Sequence, residues 1–215
     1  FRRVLFRSGM KHLTQVNVCN CTFSAIPTDL FALKSLESVY MVSNRTSLAI
    51  ESVRDVSPSI KKVVINDCGV FGSYIPTSLY SVDHLNLKQN SLEGLVYLNE
   101  NSFIKVLDVS HNKIDTIYIE QNTNIEQLSV ERQDQNIVFI HMLEVKNLEM
   151  ANLSNNIVQF NTFKNVTCDT LYVNVDREIR CFVFEAVITL LLAGMSKTGS
   201  GKYINMKELN YEDRK

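Results

Sequence analysis

Tryptophan is absent from the 215 residues, and glycine and proline are scarce at 7 and 3. Such scarcity excludes collagenous and low-complexity material. An excess of one charge is lacking too: 22 Lys and Arg stand against 23 Asp and Glu, with a pI near 6.5. Bulk attraction to nucleic acid or to an anionic membrane is therefore not expected. Five cysteines are too few and too irregular for a small disulfide scaffold, and their odd number leaves at least one free thiol. No apolar run approaches the ~20 residues of a spanning helix, since residues 182–195 are interrupted by Glu185 and Thr189. A chain that is 45% apolar and 21% charged can still bury a core. What it has in excess is asparagine, with 21 residues.

Self-similarity organises most of the chain. The template L-x-x-L-x-L-x-x-N/C-x-L fits at Leu13, Leu36, Ile60, Val82, Ile104, Ile125, Leu148 and Cys168. The steps are 23, 24, 22, 22, 21, 23 and 20 residues. The clearest copies are Val82-x-x-Leu85-x-Leu87-x-x-Asn90-x-Leu92 and Ile104-x-x-Leu107-x-Val109-x-x-Asn112-x-Ile114. Positions one, four and six are apolar in every copy, while the positions between them are mostly polar. That alternation predicts a short strand in each copy, with one row buried and one facing out. The ninth position carries Cys21, Asn44, Cys68, Asn90, Asn112, Gln133, Asn156 and Asp176, which accounts for much of the asparagine. Backbone groups that point inward where a coil leaves its strand need partners, and a side-chain amide can both donate and accept.

These residues resemble the leucine-rich repeat family, over Leu13 to about Glu178. Ile26-Pro27-Thr28-Asp29-Leu30 and Ile75-Pro76-Thr77-Ser78-Leu79 are similar to the I-P-x-x-L segment of plant-type repeats, common in receptor-like ectodomains. The resemblance implies an α/β solenoid: a horseshoe of about eight coils with a parallel sheet on the concave face. It also implies that the ninth-position residues Cys21, Asn44, Cys68, Asn90, Asn112 and Asn156 form a structural ladder between coils. Residues 9–180 are expected to form the solenoid, residues 181–196 a C-terminal capping helix, and residues 197–215 a flexible charged tail. Residues 1–8 resemble the in-frame translation of a sequencing adapter and are expected to be a non-native scar.

No catalytic constellation is present. His84 and His111 stand near Asp83 and Asp108 on the expected outer face, where ordinary solvated residues outweigh a metal or acid–base site. No Gly-x-Ser-x-Gly, His-Glu-x-x-His or Cys-x-x-Cys motif occurs. Residues 197–202 fail the phosphate-loop pattern at Ser196 and Tyr203. Four N-x-S/T sequons, at Asn20, Asn44, Asn152 and Asn165, are about the number chance supplies. Asn165 alone is expected to be well placed for a glycan, and Asn44 is expected to be buried.

The expected function is a non-catalytic module that binds a protein or peptide on the concave face, within a larger receptor-like signalling protein. Specificity is assigned to Tyr40, Val64, Asn86, Val106, Asp108, Met150 and Tyr172 on the outward strand positions. No cofactor, no metal and no nucleic acid is expected, and no membrane span within these residues. The resemblance favours an extracellular or cell-surface location. The alternative is an intracellular repeat scaffold, or the regulatory repeats of an enzyme whose catalytic domain lies elsewhere. The absence of a recognisable cysteine-rich end motif leans that way; Cys168 and Cys181, 13 residues apart, are a candidate end-closing disulfide, but the residues around them do not match the usual cap.

Overall fold

The structure, a computed structural model, describes residues 10–22, 25–134 and 137–172, and the backbone of Ile179–Cys181 and Ile204–Asn205. Each repeat contributes one strand to a first sheet, and from the second repeat onward another to a second sheet. In chain order they are β1 (Gln15–Cys19), then β2 (Ser38–Val42) with β3 (Leu48–Ala49), and β4 (Lys62–Asn66) with β5 (Val70–Tyr74). Next come β6 (His84–Asn86) with β7 (Ser91–Leu98), and β8 (Val106–Asp108) with β9 (Lys113–Glu120). The later pairs are β10 (Gln127–Ser129) with β11 (Val138–Leu143), and β12 (Leu148–Asn152) with β13 (Val158–Lys164). The last are β14 (Cys168–Tyr172) with β15 (Ile179–Cys181), and then β16 (Ile204–Asn205).

The first sheet has nine strands in the order β1-β2-β4-β6-β8-β10-β12-β14-β16, all parallel except β16, which is antiparallel to β14. The second has seven parallel strands, β15-β13-β11-β9-β7-β5-β3. The chain is a parallel β-solenoid.

Register in the first sheet follows the sequence template. Val16, Val39, Val63, Leu85, Leu107, Leu128, Ala151 and Leu171, the fourth positions, are aligned neighbours across eight strands. All eight are buried. Among the described residues the first and sixth positions join them, with only Leu13 and Val18 of the first coil half-buried. A single coil cannot enclose its own apolar row, so each is stabilised by the coil stacked on it.

The return half of each coil departs from expectation. No α-helix occurs among the described residues, so an α/β horseshoe is not what these residues build. Residues with a two-residue apolar alternation run back as strands: Ile117 and Ile119 of β9 point inward, as do Val138, Ile140 and Met142 of β11. β-Branched residues in that pattern suit a pleated surface. Copies only 20–24 residues long also leave little chain for a helix after the template, and an extended return covers about twice the distance per residue. The two I-P-x-x-L segments become 3-10 turns, Thr28–Ala32 and Thr77–Ser81, which bury Leu30, Phe31, Leu79 and Tyr80. A third such turn is Ile50–Ser52.

Residues 1–9 lie outside the described residues, as do residues 182–203 and 206–215, so most of the expected capping helix and tail fall there. Residue 181, where that helix is expected to start, is the last residue of strand β15. Among the described residues no helix is long and apolar enough to cross a membrane.

Corners repeat as strictly as strands. Asn20, Ser43, Asp67, Gln89, His111, Arg132 and Asn155, all at the eighth template position, have φ between +50 and +60. A left-handed residue reverses the local direction of the chain and so turns each coil off its strand. The turn ends β strand alternation, and the ninth side chain is thereby directed inward. Gly69 (φ +65) adds a second left-handed step in coil three, and a Cβ there would lie 2.6 Å from the Thr46 carbonyl oxygen.

Candidate functional site

Inside the corner, the ninth-position side chains join successive coils. Asn112 is 1% exposed. Its Oδ1 accepts the Leu92 N–H of the preceding coil at 3.0 Å, and its Nδ2 donates to the carbonyls of Leu87, Val109 and Ser110. Asn156 likewise accepts from the Gln133 N–H and donates to Val130 and Leu153. Asn90 accepts from Cys68 and Val70 and donates to Ile65, Leu87 and Lys88. Gln133 does the same with one more methylene, accepting from Ile114. Asn44 is buried, accepts from the Cys21 N–H and donates to the Val18 carbonyl.

The two cysteines behave differently from each other. Cys68 is buried, its thiol donating to the Asn66 carbonyl and receiving Asn44 Nδ2 at 3.7 Å. Burial pushes its thiol up from the usual range. Cys21 was expected in the same buried ladder, but it is exposed, its thiol turned to the Cys19 carbonyl. The physical reason is that Cys21 follows β1, the edge strand of the nine-strand sheet, so its corner is open where the later corners are stacked between coils. Cys168 is a buried free thiol, pushed up to about 11 by burial. The side chain of Cys181 lies outside the described residues.

Outside the corner, the nine-strand sheet presents its odd template positions. The fifth positions form one unbroken row, Asn17, Tyr40, Val64, Asn86, Asp108, Ser129, Asn152 and Tyr172. Five of the seven expected contact residues therefore share this row. Val106 and Met150 lie in the neighbouring row of third positions, in register with His84 and Gln127. Lys62 places its ammonium 5.4 Å from the centre of the Tyr40 ring. Tyr40, Asn86, Val106, Asp108, Met150 and Tyr172 are half-buried, and Val64, at 9% exposure, is covered by its neighbours. Tyr40 and Tyr172 lie six strand steps apart, about 29 Å at ~4.8 Å per step, so the row is an extended surface and not a pocket.

Two of these residues also hold the fold. Asn86 Oδ1 accepts the Lys88 N–H, and Asp108 Oδ1 accepts the Ser110 N–H. Asn152 does the same for Ser154. This side-chain turn captures the backbone just past the strand, which explains why β6 and β8 end at their fifth positions. Half of each of these side chains is thus committed before any partner arrives.

His84 stands between Lys62 and Val106 in the third-position row. Burial, reinforced by Lys62 and opposed by Asp108, holds its imidazole below the ordinary value, so it is neutral at pH 7. No group of three or more His, Cys, Asp or Glu side chains suited to a metal ion exists among the described residues. The sequons divide clearly: Asn20 and Asn165 are exposed on left-handed turns, while the Asn44 amide is consumed inside.

No family model, curated protein or solved structure matches this chain.

A second feature, which sequence reasoning missed, lies on the seven-strand sheet. Tyr97, Tyr118 and His141 align on β7, β9 and β11. Their ring centres are 5.5 and 5.3 Å apart, and Asn161 Nδ2 meets His141 Nε2 at 3.0 Å. The Tyr97 hydroxyl donates to Glu120. That bond, with the nearby charge of Glu100, raises the phenol above its ordinary value.

Proposed function

We propose that this chain is a non-catalytic module of the leucine-rich repeat type that binds a protein or peptide along its nine-strand face, as part of a larger receptor-like signalling protein. The observation that carries the reading is the unbroken fifth-position row, flanked by third-position side chains of varied chemistry. Tyr40, Val106, Met150 and Tyr172 supply apolar contact along it, whereas Val64 is buried beneath its neighbours. Lys62, His84, Asp108 and Glu131 supply polar discrimination. The regular in-register strands and inward amides favour the leucine-rich repeat assignment, in which a rigid scaffold presents variable outward residues. A surface about 29 Å long suits a macromolecular partner better than a small molecule, which needs concavity at one point.

The test is selection of binding peptides from a displayed random library on the immobilised full chain, followed by titration with soluble peptide. Tyr40→Ala and Tyr172→Ala should each weaken the selected peptides by about tenfold or more, as loss of an aromatic anchor does, with melting unchanged. Selected peptides that bind both variants as tightly as the parent would remove the nine-strand face from consideration.

A further inference from the structure

Strand β5 ends at Tyr74, its last ladder pair being with Leu95, whereas β7 continues to Leu98 and stays paired with β9. After Tyr74 the chain passes Ile75 and Pro76 into the 3-10 turn Thr77–Ser81. Proline has no N–H to extend the ladder, so β7 loses its neighbour on that side. The Tyr97 carbonyl takes the Tyr80 hydroxyl instead. A cleft of about 470 Å³ remains at this step, its walls including Glu51, Arg54, Tyr74, Tyr80, Leu95 and Tyr97.

The cleft lies where the row of rings begins. Tyr118 covers one side of Tyr97 and His141 extends the row beyond, while the other end borders the cleft. Exposed apolar side chains line it: Tyr74 of β5 and its partner Leu95 of β7 are both more than a third exposed, and Phe71, three residues earlier on β5, is exposed as well. Water disfavours such a cluster on a free surface, and apolar patches rimmed by charge mark contact sites. The lining itself carries one carboxylate, Glu51, against Arg54, and further negative charge stands around the Tyr97 hydroxyl. Glu51 lines the cleft with one carboxylate oxygen on the Ser73 N–H, Glu120 holds the Tyr97 hydroxyl and Glu100 lies near it. Arg54 is the cation of the lining.

We propose that this cleft docks a partner peptide through one aromatic side chain flanked by basic residues. The inserted ring continues the row Tyr97–Tyr118–His141 into the space beyond the end of β5, at the 4.5–7 Å spacing that aromatic pairs favour. Volume permits an indole with its neighbouring backbone, and Glu51, Glu100 and Glu120 select for positive flanks. This site is separate from the nine-strand face and stands whether or not that face binds a partner.

Because the chain has no tryptophan, the indole of a synthetic peptide reports its own binding. The probe is N-acetyl-Lys-Trp-Lys-amide, titrated with the full chain and followed by fluorescence anisotropy. Saturable binding is expected, weakened about tenfold or more by Tyr74→Ala and by Tyr97→Ala. Tyr74 is the more exposed of the two, so its variant serves should Tyr97→Ala melt early. Tyr40→Ala should bind as the parent does, and N-acetyl-Glu-Trp-Glu-amide should bind at least tenfold more weakly, as rim charge demands. Absence of saturable binding at millimolar chain overturns the proposal. Equal binding of the acidic peptide, equal binding of free indole, or loss with Tyr40→Ala but not Tyr74→Ala overturns it as well.

Discussion

Replacing Asn112 with leucine tests what the inward amide does, because the two side chains share the same heavy-atom branching and the site is 1% exposed. The loss can be worked bond by bond. The Val109 carbonyl keeps Gln133 Nε2 at 3.0 Å, the Ser110 carbonyl keeps the Gln89 N–H at 3.0 Å, and the Leu87 carbonyl keeps Asn90 Nδ2 at 2.8 Å. The Leu92 N–H, which donates to Asn112 Oδ1 at 3.0 Å, is the group left without its acceptor. An orphaned buried donor costs about 1–3 kcal/mol, whereas thinning three shared carbonyls costs little. Asn112→Leu should therefore lose about 1–3 kcal/mol, or roughly 2–12 °C in melting midpoint for a chain of this size. Asn112→Ser, too short to reach Leu92, should lose a similar amount and also leave a void. Urea melts followed by far-ultraviolet circular dichroism read both variants against the parent. A parental midpoint for Asn112→Leu would refute the assignment of the ninth position to the interior.

Arg132 is exposed yet holds φ +52. Arg132→Val should cost about 1–2 kcal/mol in a urea melt, unusual for a surface site, while Arg132→Gly should be close to neutral. Among the four described cysteines, Cys19 and Cys21 should react rapidly with a thiol reagent, and Cys68 and Cys168 only on unfolding. Stopped-flow titration of the Cys19→Ser/Cys21→Ser variant should lose both rapid equivalents. The imidazoles of His84 and His141 are both held below their ordinary value, chiefly by burial. A lowered folded-state value means that the unfolded chain binds protons first as pH falls through about 6.5, so stability should decline below that point. His84→Gln should flatten the decline between pH 6.5 and 5 in melts run across that range.

The strand of every repeat was legible because three apolar positions recur at fixed spacing and a period of two leaves only one face for them. Register came with it, since the in-register alignment of Val16 through Leu171 follows the template. The second sheet was harder to read. Register shifts after Gly72, Gly94 and Ile140, where the partner strand β7, β9 or β13 carries an extra residue, move the alternation by one, so inward residues fall at different offsets in successive coils. The aromatic row was hidden for the same reason: Tyr97, Tyr118 and His141 stand seven, six and eight residues after Asn90, Asn112 and Gln133. Corners were invisible in composition, because the left-handed eighth position carries Asn, Ser, Asp, Gln, His and Arg and never glycine. Outward residues could be assigned to a face from alternation alone. The turn that Asn86 and Asp108 close was not foreseen, since the same residue types serve equally well in solvent.

Distances along the nine-strand sheet test the account most directly. Spin labels at Ser38 and Thr170, with Cys19 and Cys21 replaced by serine, span six strand steps from β2 to β14. Labels at Ser38 and Gln127 span four steps, from β2 to β10. At about 4.8 Å per step, pulsed dipolar spectroscopy should return separations near 29 and 19 Å, apart from the length of the labels. Two narrow distributions differing by about 10 Å are the expected result. Equal distances, or a Thr170 pair closer than the Gln127 pair, would contradict the stacking of the repeats in one parallel solenoid.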